Sequence, residues 1–163
     1  MQTLDRDRRS AVIPGPPDRL WAILSDVTRT AELSPEILRC HWLEGATGPA
    51  VGARFEATNT VNGKSWKNTP VVTAAEPGRV FAFERTERFA GTVAWRYDLE
   101  PVEGGTRVTE SYEVVRPLSR LGWFVITRVY GCRDRRAELG SGMDRTLSRL
   151  AEVAAQEQSG ATA

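Results

Sequence analysis

From about Gly131 to Gln156 the chain carries Leu139, Met143, Leu147, Leu150 and Ala154 at spacings of four and three. That is one apolar stripe along a single long helix. Between Leu38 and Val115 the period is different: short runs with apolar side chains at alternate positions, separated by Gly, Pro or Asn, read as successive half-buried strands. A long helix with one apolar face and an antiparallel sheet with one apolar face satisfy each other if the sheet wraps the helix. The expected class is therefore α+β. Whether that wrap is solid or hollow decides what the protein does. Gly140 and Gly142 lie within the helical stretch beside Leu139 and Met143. A glycine there costs about 1 kcal/mol relative to alanine, so the pair signals a kink, close packing or reserved space.

Upstream, Ser10 to Ile13 is a brief extended segment closed by Pro14-Gly15-Pro16-Pro17, which can open a helix because proline is tolerated in its first turn. A short amphipathic helix follows with Leu20, Trp21, Ile23 and Leu24 on its buried side, then a second over about 28–33, stopped by Ser34-Pro35. Strands are expected at 37–44, 52–61, 65–75, 79–86, 91–101 and 106–115, with the N-terminal segment as the seventh. Their separators are Gly45 to Gly52, Asn62-Gly63, Pro77-Gly78 and Gly104-Gly105. Residues 118–130, with Trp123, Phe124, Ile126 and Val129, read either as a short helix or lid-like connection or as the first part of the long helix. Residues 1–8 are expected to be a charged leader, 9–156 one domain and 157–163 a disordered tail.

With 163 residues the chain has the size of one domain with one sizeable core. Its formal net charge is +1 and its charges are mixed, so neither nucleic acid nor membrane is expected as a partner. The N-terminus lacks the apolar core of a signal peptide. Cys40 and Cys132 stand far apart, in no metal-ligand spacing, and are expected to be reduced, buried thiols of a cytoplasmic protein. His41 is the single histidine and is expected to face outward. A Ser-His-Asp triad and a histidine-rich metal site are therefore unsupported, and the sequence carries no phosphate-cradling glycine motif. No metal and no cofactor are expected.

Alternation assigns the inner face: Phe55, Ala57 and Asn59; Trp66, Asn68 and Val72; Phe81, Phe83 and Arg85; Val93, Trp95, Tyr97 and Leu99; Val108, Glu110, Tyr112 and Val114. The turn at Gly104-Gly105 sets Tyr97 opposite Glu110 and Trp95 opposite Tyr112. The turn at Asn62-Gly63 sets Asn59 near Trp66 and Ala57 near Asn68. Trp66, Phe81, Phe83, Trp95, Tyr97 and Tyr112, studded with Asn59, Asn68, Arg85 and Glu110, make either a core or a small-molecule pocket. The polar residues favour the pocket, because charge turned toward an apolar interior costs several kcal/mol unless paired or hydrated. Glu110 is a candidate acid or base whose pKa burial would raise, or a carboxylate held by the Tyr97 hydroxyl or the last helix. Arg85 suits a ligand carboxylate or phenolate, or a salt bridge at the rim. Leu139 and Met143 supply the helix side of the pocket.

The stretches PPDRLWAILSDV (16–27), LSPEI (33–37), GPAVGARFEATN (48–59), AEPGRVFAF (75–83), WRYDLEPVEGGTRVTESYEV (95–114) and GSGMDRTLSRLAEVA (140–154) together resemble the helix-grip fold of the START-like (SRPBCC) superfamily, in its bacterial polyketide cyclase/dehydrase-type branch. The resemblance runs from about Arg9 to Ala155. Leu33 departs from it, since many relatives carry tryptophan before Ser-Pro. The resemblance implies a curved sheet of about seven strands around the C-terminal helix, with a cavity that relatives use for polyketides, lipids, steroids or aromatic hormones. It does not imply one reaction.

Three functions follow as expectations. The first is binding of a hydrophobic, ring-containing small molecule (polyketide, lipid or aromatic metabolite) by a monomer or homodimer. The second is a polyketide cyclase or dehydratase in which Glu110 moves a proton while Tyr97, Tyr112 and Arg85 steer the substrate. The third is an interaction module whose apolar segment 118–130 meets a partner chain.

Overall fold

The computed structural model describes residues 4–162. The chain opens with a strand, β1 (Arg6–Ile13), and turns through prolines into α1 (Pro17–Ser25), with Pro17 in the first helical turn. A 3₁₀ turn (Val27–Arg29) and α2 (Thr30–Leu33) follow, then β2 (Ile37–Trp42), β3 (Phe55–Val61), β4 (Lys64–Asn68), β5 (Val71–Glu76), β6 (Val80–Glu87), β7 (Gly91–Val102) and β8 (Gly105–Arg116). A short α3 (Arg120–Phe124) runs into a π-helical turn (Val125–Val129), and α4 (Arg135–Ala161) completes the chain.

All strand pairs are antiparallel. One sheet has the order β1-β8-β7-β6-β5 and the other β2-β3-β4. They meet where the entry to β3 crosses β5, through the Arg54–Val71 bridge and the Gly52 N–H to Val72 carbonyl hydrogen bond at 2.8 Å. The expected registers are present: Tyr97 pairs with Glu110, Trp95 with Tyr112, Asn59 with Trp66 and Ala57 with Asn68. At Asn62 and Gly63 φ is +51° and +75°, the left-handed pair that a two-residue hairpin of matching twist requires.

Several boundaries differ from the sequence pattern, each for a local reason. The run 65–75 is two strands, because Pro70 offers no N–H to a ladder; the chain turns there from β4 to β5, making eight strands among the described residues. β1 begins at Arg6, so Arg6 to Arg8 belong to the sheet rather than to a leader. β2 ends at Trp42 and β3 starts only at Phe55. Leu38 is 56% exposed, since a register shift between Ile37 and Arg39 takes it out of the alternation that buries Cys40. His41 is exposed. Segment 118–130 is separate from the long helix, which starts at Arg135 with Asp134 as its cap, its carboxylate accepting from Ala137 N–H at 3.0 Å. At the other end α4 runs on to Ala161, where a frayed tail is expected.

The core is uneven along α4. Its C-terminal half, with Leu147, Leu150, Val153 and Ala154, packs with Leu20, Ile23, Leu24, Phe81, Leu99 and Val108 in one dense cluster. Its N-terminal half contributes Leu139 and Met143 to a smaller cluster with Val93 and Tyr112. Leu150 is fully buried in the first cluster. Leu150→Ala should therefore cost about 2–5 kcal/mol, read as a lowered denaturant midpoint at unchanged slope in equilibrium unfolding.

Candidate functional site

Between the two clusters the wrap is hollow. A cavity of about 90 Å³ lies between the sheets and α4. Leu24, Val27 and Leu33 from the short helices close one side, Phe55, Ala57 and Asn59 come from β3, and Leu139, Gly142, Met143 and Thr146 from α4. The two helix glycines have different reasons. A Cβ on Gly140 would come within 2.5 Å of the Arg9 guanidinium, so that position is close packing. A Cβ on Gly142 would meet nothing within 4 Å, and Gly142 lines the cavity: this is reserved space.

The floor is aromatic and its ends are polar. Glu110 pairs across the ladder with Tyr97, and Arg85 with Val93, so the two charged side chains sit on rows four residues apart, roughly 13 Å along the strand. The Phe83–Trp95 row lies between them. At one end the Tyr97 hydroxyl donates to Glu110 Oε1 at 3.0 Å, while Glu110 Oε2 is buried with no hydrogen-bond partner among the described residues. Burial first, and then the Asp144 charge, push the Glu110 carboxyl up to about 8, against the lowering effect of the Tyr97 hydrogen bond. Near neutral pH it is largely a carboxylic acid, able to donate. Burial and the same carboxyl raise the Tyr97 hydroxyl.

At the other end Arg85 Nη1 donates to Glu87 Oε1 at 3.3 Å, and its guanidinium stands 6.0 Å from the Trp95 ring centroid. Glu87 Oε1 also accepts from Trp66 Nε1 at 3.0 Å and Asn68 Nδ2 at 2.9 Å. Arg85 Nε and Asn68 Oδ1 are buried without partners among the described residues. Beside them Arg135 makes a bidentate pair with Glu36, at 2.6 and 2.8 Å, clamping the foot of α4 to the approach to β2. Arg85 also lines a second chamber of about 210 Å³ with Val61, Trp66, Phe89, Val93, Gly122, Ile126 and Tyr130, so this side chain stands between two cavities.

Of the residues expected at the site, Phe55, Asn59, Asn68, Phe81, Phe83, Arg85, Trp95, Tyr97, Glu110, Leu139 and Met143 line the first cavity. Trp66 lines the second chamber instead. Tyr112 lines neither: its ring packs 5.4 Å from that of Trp95, in the cluster with Leu139 and Met143. Asn59 is spent locally, its Nδ2 donating to the Ala57 carbonyl at 3.3 Å. Glu87, Arg135 and Glu36 were not expected. Glu87 continues the 81, 83, 85 alternation by one step and Arg135 lies four residues before Leu139 on the helix stripe, so both carried a readable signal; Glu36, in a turn, carried none.

Cys40 and Cys132 are free and buried, and burial pushes both thiols up to about 11, which leaves them protonated and poor nucleophiles. Among the described residues no three His, Cys, Asp or Glu side chains gather in a metal-holding arrangement, and no helix is long and apolar enough to cross a membrane.

The architecture has many solved counterparts. Protein CV1439 from Chromobacterium violaceum superposes with a TM-score of 0.69 at 18% identity, over 93% of this chain and 98% of that one. The di-domain ARO/CYC StfQ from the steffimycin biosynthetic pathway gives 0.73 at 16% identity, over 95% of this chain and 51% of StfQ. Both share the helix-grip fold with this chain. The polyketide cyclase-like protein Cgl2372 from Corynebacterium glutamicum is 30% identical, over 94% of this chain and 87% of its own, with a TM-score of 0.50. No curated protein matches the chain significantly in sequence. The family described as polyketide cyclase / dehydrase and lipid transport matches residues 7–155, and the chain belongs to that family within the START-like helix-grip superfamily.

Proposed function

We propose that the protein binds a hydrophobic, ring-containing small molecule that carries oxygen at its ends, held between the sheet and α4. The observation that carries this reading is the set of buried polar atoms without partners on residues of one apolar cavity: Glu110 Oε2, Asn68 Oδ1 and Arg85 Nε. Each such atom costs about 1–3 kcal/mol when left unpaired, and a ligand oxygen reaching Arg85 or the Glu110 acid would relieve that cost. The aromatic row between the two polar ends suits a flat ring system. Pockets for drug-sized ligands measure roughly 300–1,000 Å³. A ligand of several rings would therefore extend past Arg85 into the second chamber.

A second reading, cyclisation or dehydration of a polyketide, is favoured by one specific feature: a carboxyl held near pKa 8 beside an apolar cavity. As an acid, Glu110 would protonate a ketone oxygen. Once ionised, it would take a proton from the carbon between two carbonyls, and the resulting enolate carbon would attack a second carbonyl. Tyr97 supplies a further hydroxyl beside Glu110, and Arg85, at the other end of the aromatic row, a cation that would steer a substrate oxygen there. Tyr112 has no place in this set, because it lies outside the cavity.

Native mass spectrometry of gently purified protein should detect a retained hydrophobic compound. Gly142→Leu should abolish that retention with folding intact, since the new side chain enters open space. A retained compound whose amount is the same in Gly142→Leu would place the ligand elsewhere. Glu110→Gln separates the two readings: binding survives it, whereas turnover by proton transfer falls about 100-fold or more.

The same substitution has a stability signature with a definite sign. The Glu110 pKa is about 8 when folded against 4.5 when unfolded. Its contribution is therefore fully present below pH 4.5 and is lost as pH rises through 8, at about 1.4 kcal/mol per pH unit. Wild-type unfolding free energy should decline relative to Glu110→Gln across that window in parallel denaturant titrations. Parallel curves would mean that the carboxyl is ionised in the folded protein.

A further inference from the structure

The helical strap formed by α3 and the π turn, Arg120–Val129, faces two ways. Inward, Gly122, Val125, Ile126 and the following Tyr130 line the second chamber. Outward, Leu121 is 52% exposed, Phe124 58% and Val129 43%, and the tip of the β6–β7 hairpin adds Phe89 at 50%. That tip is fixed to the strap. Ser119 N–H and Oγ both donate to the Phe89 carbonyl, at 3.3 and 3.0 Å, and a Cβ on Gly122 would stand 2.1 Å from the same oxygen. An apolar patch of this kind, standing on two elements locked together, marks an interaction surface.

The charge around the patch selects its partner. From Val115 to Arg133 the chain carries Arg116, Arg120, Arg128 and Arg133 and no acidic residue, and Arg88 stands over the Phe89 ring at 5.7 Å. The whole chain has a net charge of only +1, so this is a local excess of cation offset elsewhere. A second copy of the same face would set arginines against arginines, which disfavours a symmetric dimer here. Exposed aromatic and aliphatic side chains rimmed by arginine suit the boundary between headgroups and acyl chains of an anionic bilayer.

We propose that the Arg120–Val129 strap, with the Arg88–Phe89 tip, docks the protein on an anionic membrane surface. Docking there sets the wall of the second chamber against the bilayer. The inference stands on the outer face alone and holds whatever the cavity binds.

The test is co-sedimentation of the full chain with phosphatidylcholine vesicles, and with vesicles in which about a third of the lipid is phosphatidylglycerol. The protein should bind the anionic vesicles and not the neutral ones, and release in about 1 M salt, where the screening length is roughly 3 Å. Arg120→Gln with Arg128→Gln should weaken binding by about fivefold per arginine. Leu121→Ser with Phe124→Ser should weaken it at least tenfold, at unchanged melting temperature because both side chains are exposed. Equal binding to both vesicle types, or binding to neither, overturns the proposal. So does concentration-dependent self-association, read by light scattering, that the Leu121→Ser, Phe124→Ser variant relieves while vesicle binding is unchanged.

Discussion

One apolar helix face has to be buried by strands that curve around it, and the length of that helix exceeds what the sheet can fill. Along the C-terminal half of α4 the demand is met by direct packing, with Leu147, Leu150 and Val153 in the main cluster. Toward the N-terminal half, Gly142 withholds a side chain at the level where the wall is made of Phe83, Trp95, Tyr97 and Glu110. A glycine at that helical position gives up about 1 kcal/mol relative to alanine. The same omission opens the cavity. Gly142 thus leaves room beside the helix, while the solid half of the core holds the helix in place.

The polar groups near the gap are held by one another, which keeps its ends fixed. Glu87 gathers Trp66, Asn68 and Arg85 on one carboxylate oxygen, and Arg135 grips Glu36 with two hydrogen bonds. Removing one member of such a buried pair leaves an uncompensated charge, a loss of roughly 3–5 kcal/mol. The bidentate clamp therefore ties the start of α4 to the turn before β2 as firmly as a packed side chain would. Glu110 is different. Among the described residues no cation pairs with it, so it lowers its charge by keeping its proton, and Tyr97 fixes its orientation.

Much of this was readable in the residues. Period two along 91–101 and 106–115, with the Gly104-Gly105 turn between, suffices to set Tyr97 against Glu110, because a slip of one residue would turn every aromatic to solvent. The helix stripe is equally plain. What alternation hides is anything that breaks it. Pro70 splits one apparent strand into two, and the shift after Ile37 throws Leu38 out into water. Tyr112 obeys the alternation yet misses the cavity: it shares the Phe83–Trp95 row but stands one strand further across, on β8, where it packs with Leu139 and Met143, and parity does not encode how far a cavity extends across a row. Net charge also concealed a local feature, since a sum of +1 averages away the arginines of the strap.

On the proposed function, ligand enters the space beneath α4 rather than a surface groove. The chain has two methionines, Met1 and Met143, and Met143 lines the cavity. Carbon-13 labelling of methionine methyls therefore gives a spectrum with one reporter inside the gap. On titration with a series of one- and two-ring phenols, the account predicts that the Met143 resonance moves saturably with at least one of them while that of Met1 stays fixed. If no member of the series moves Met143, or if both signals drift together without saturation, the gap does not receive ring compounds and the account is wrong.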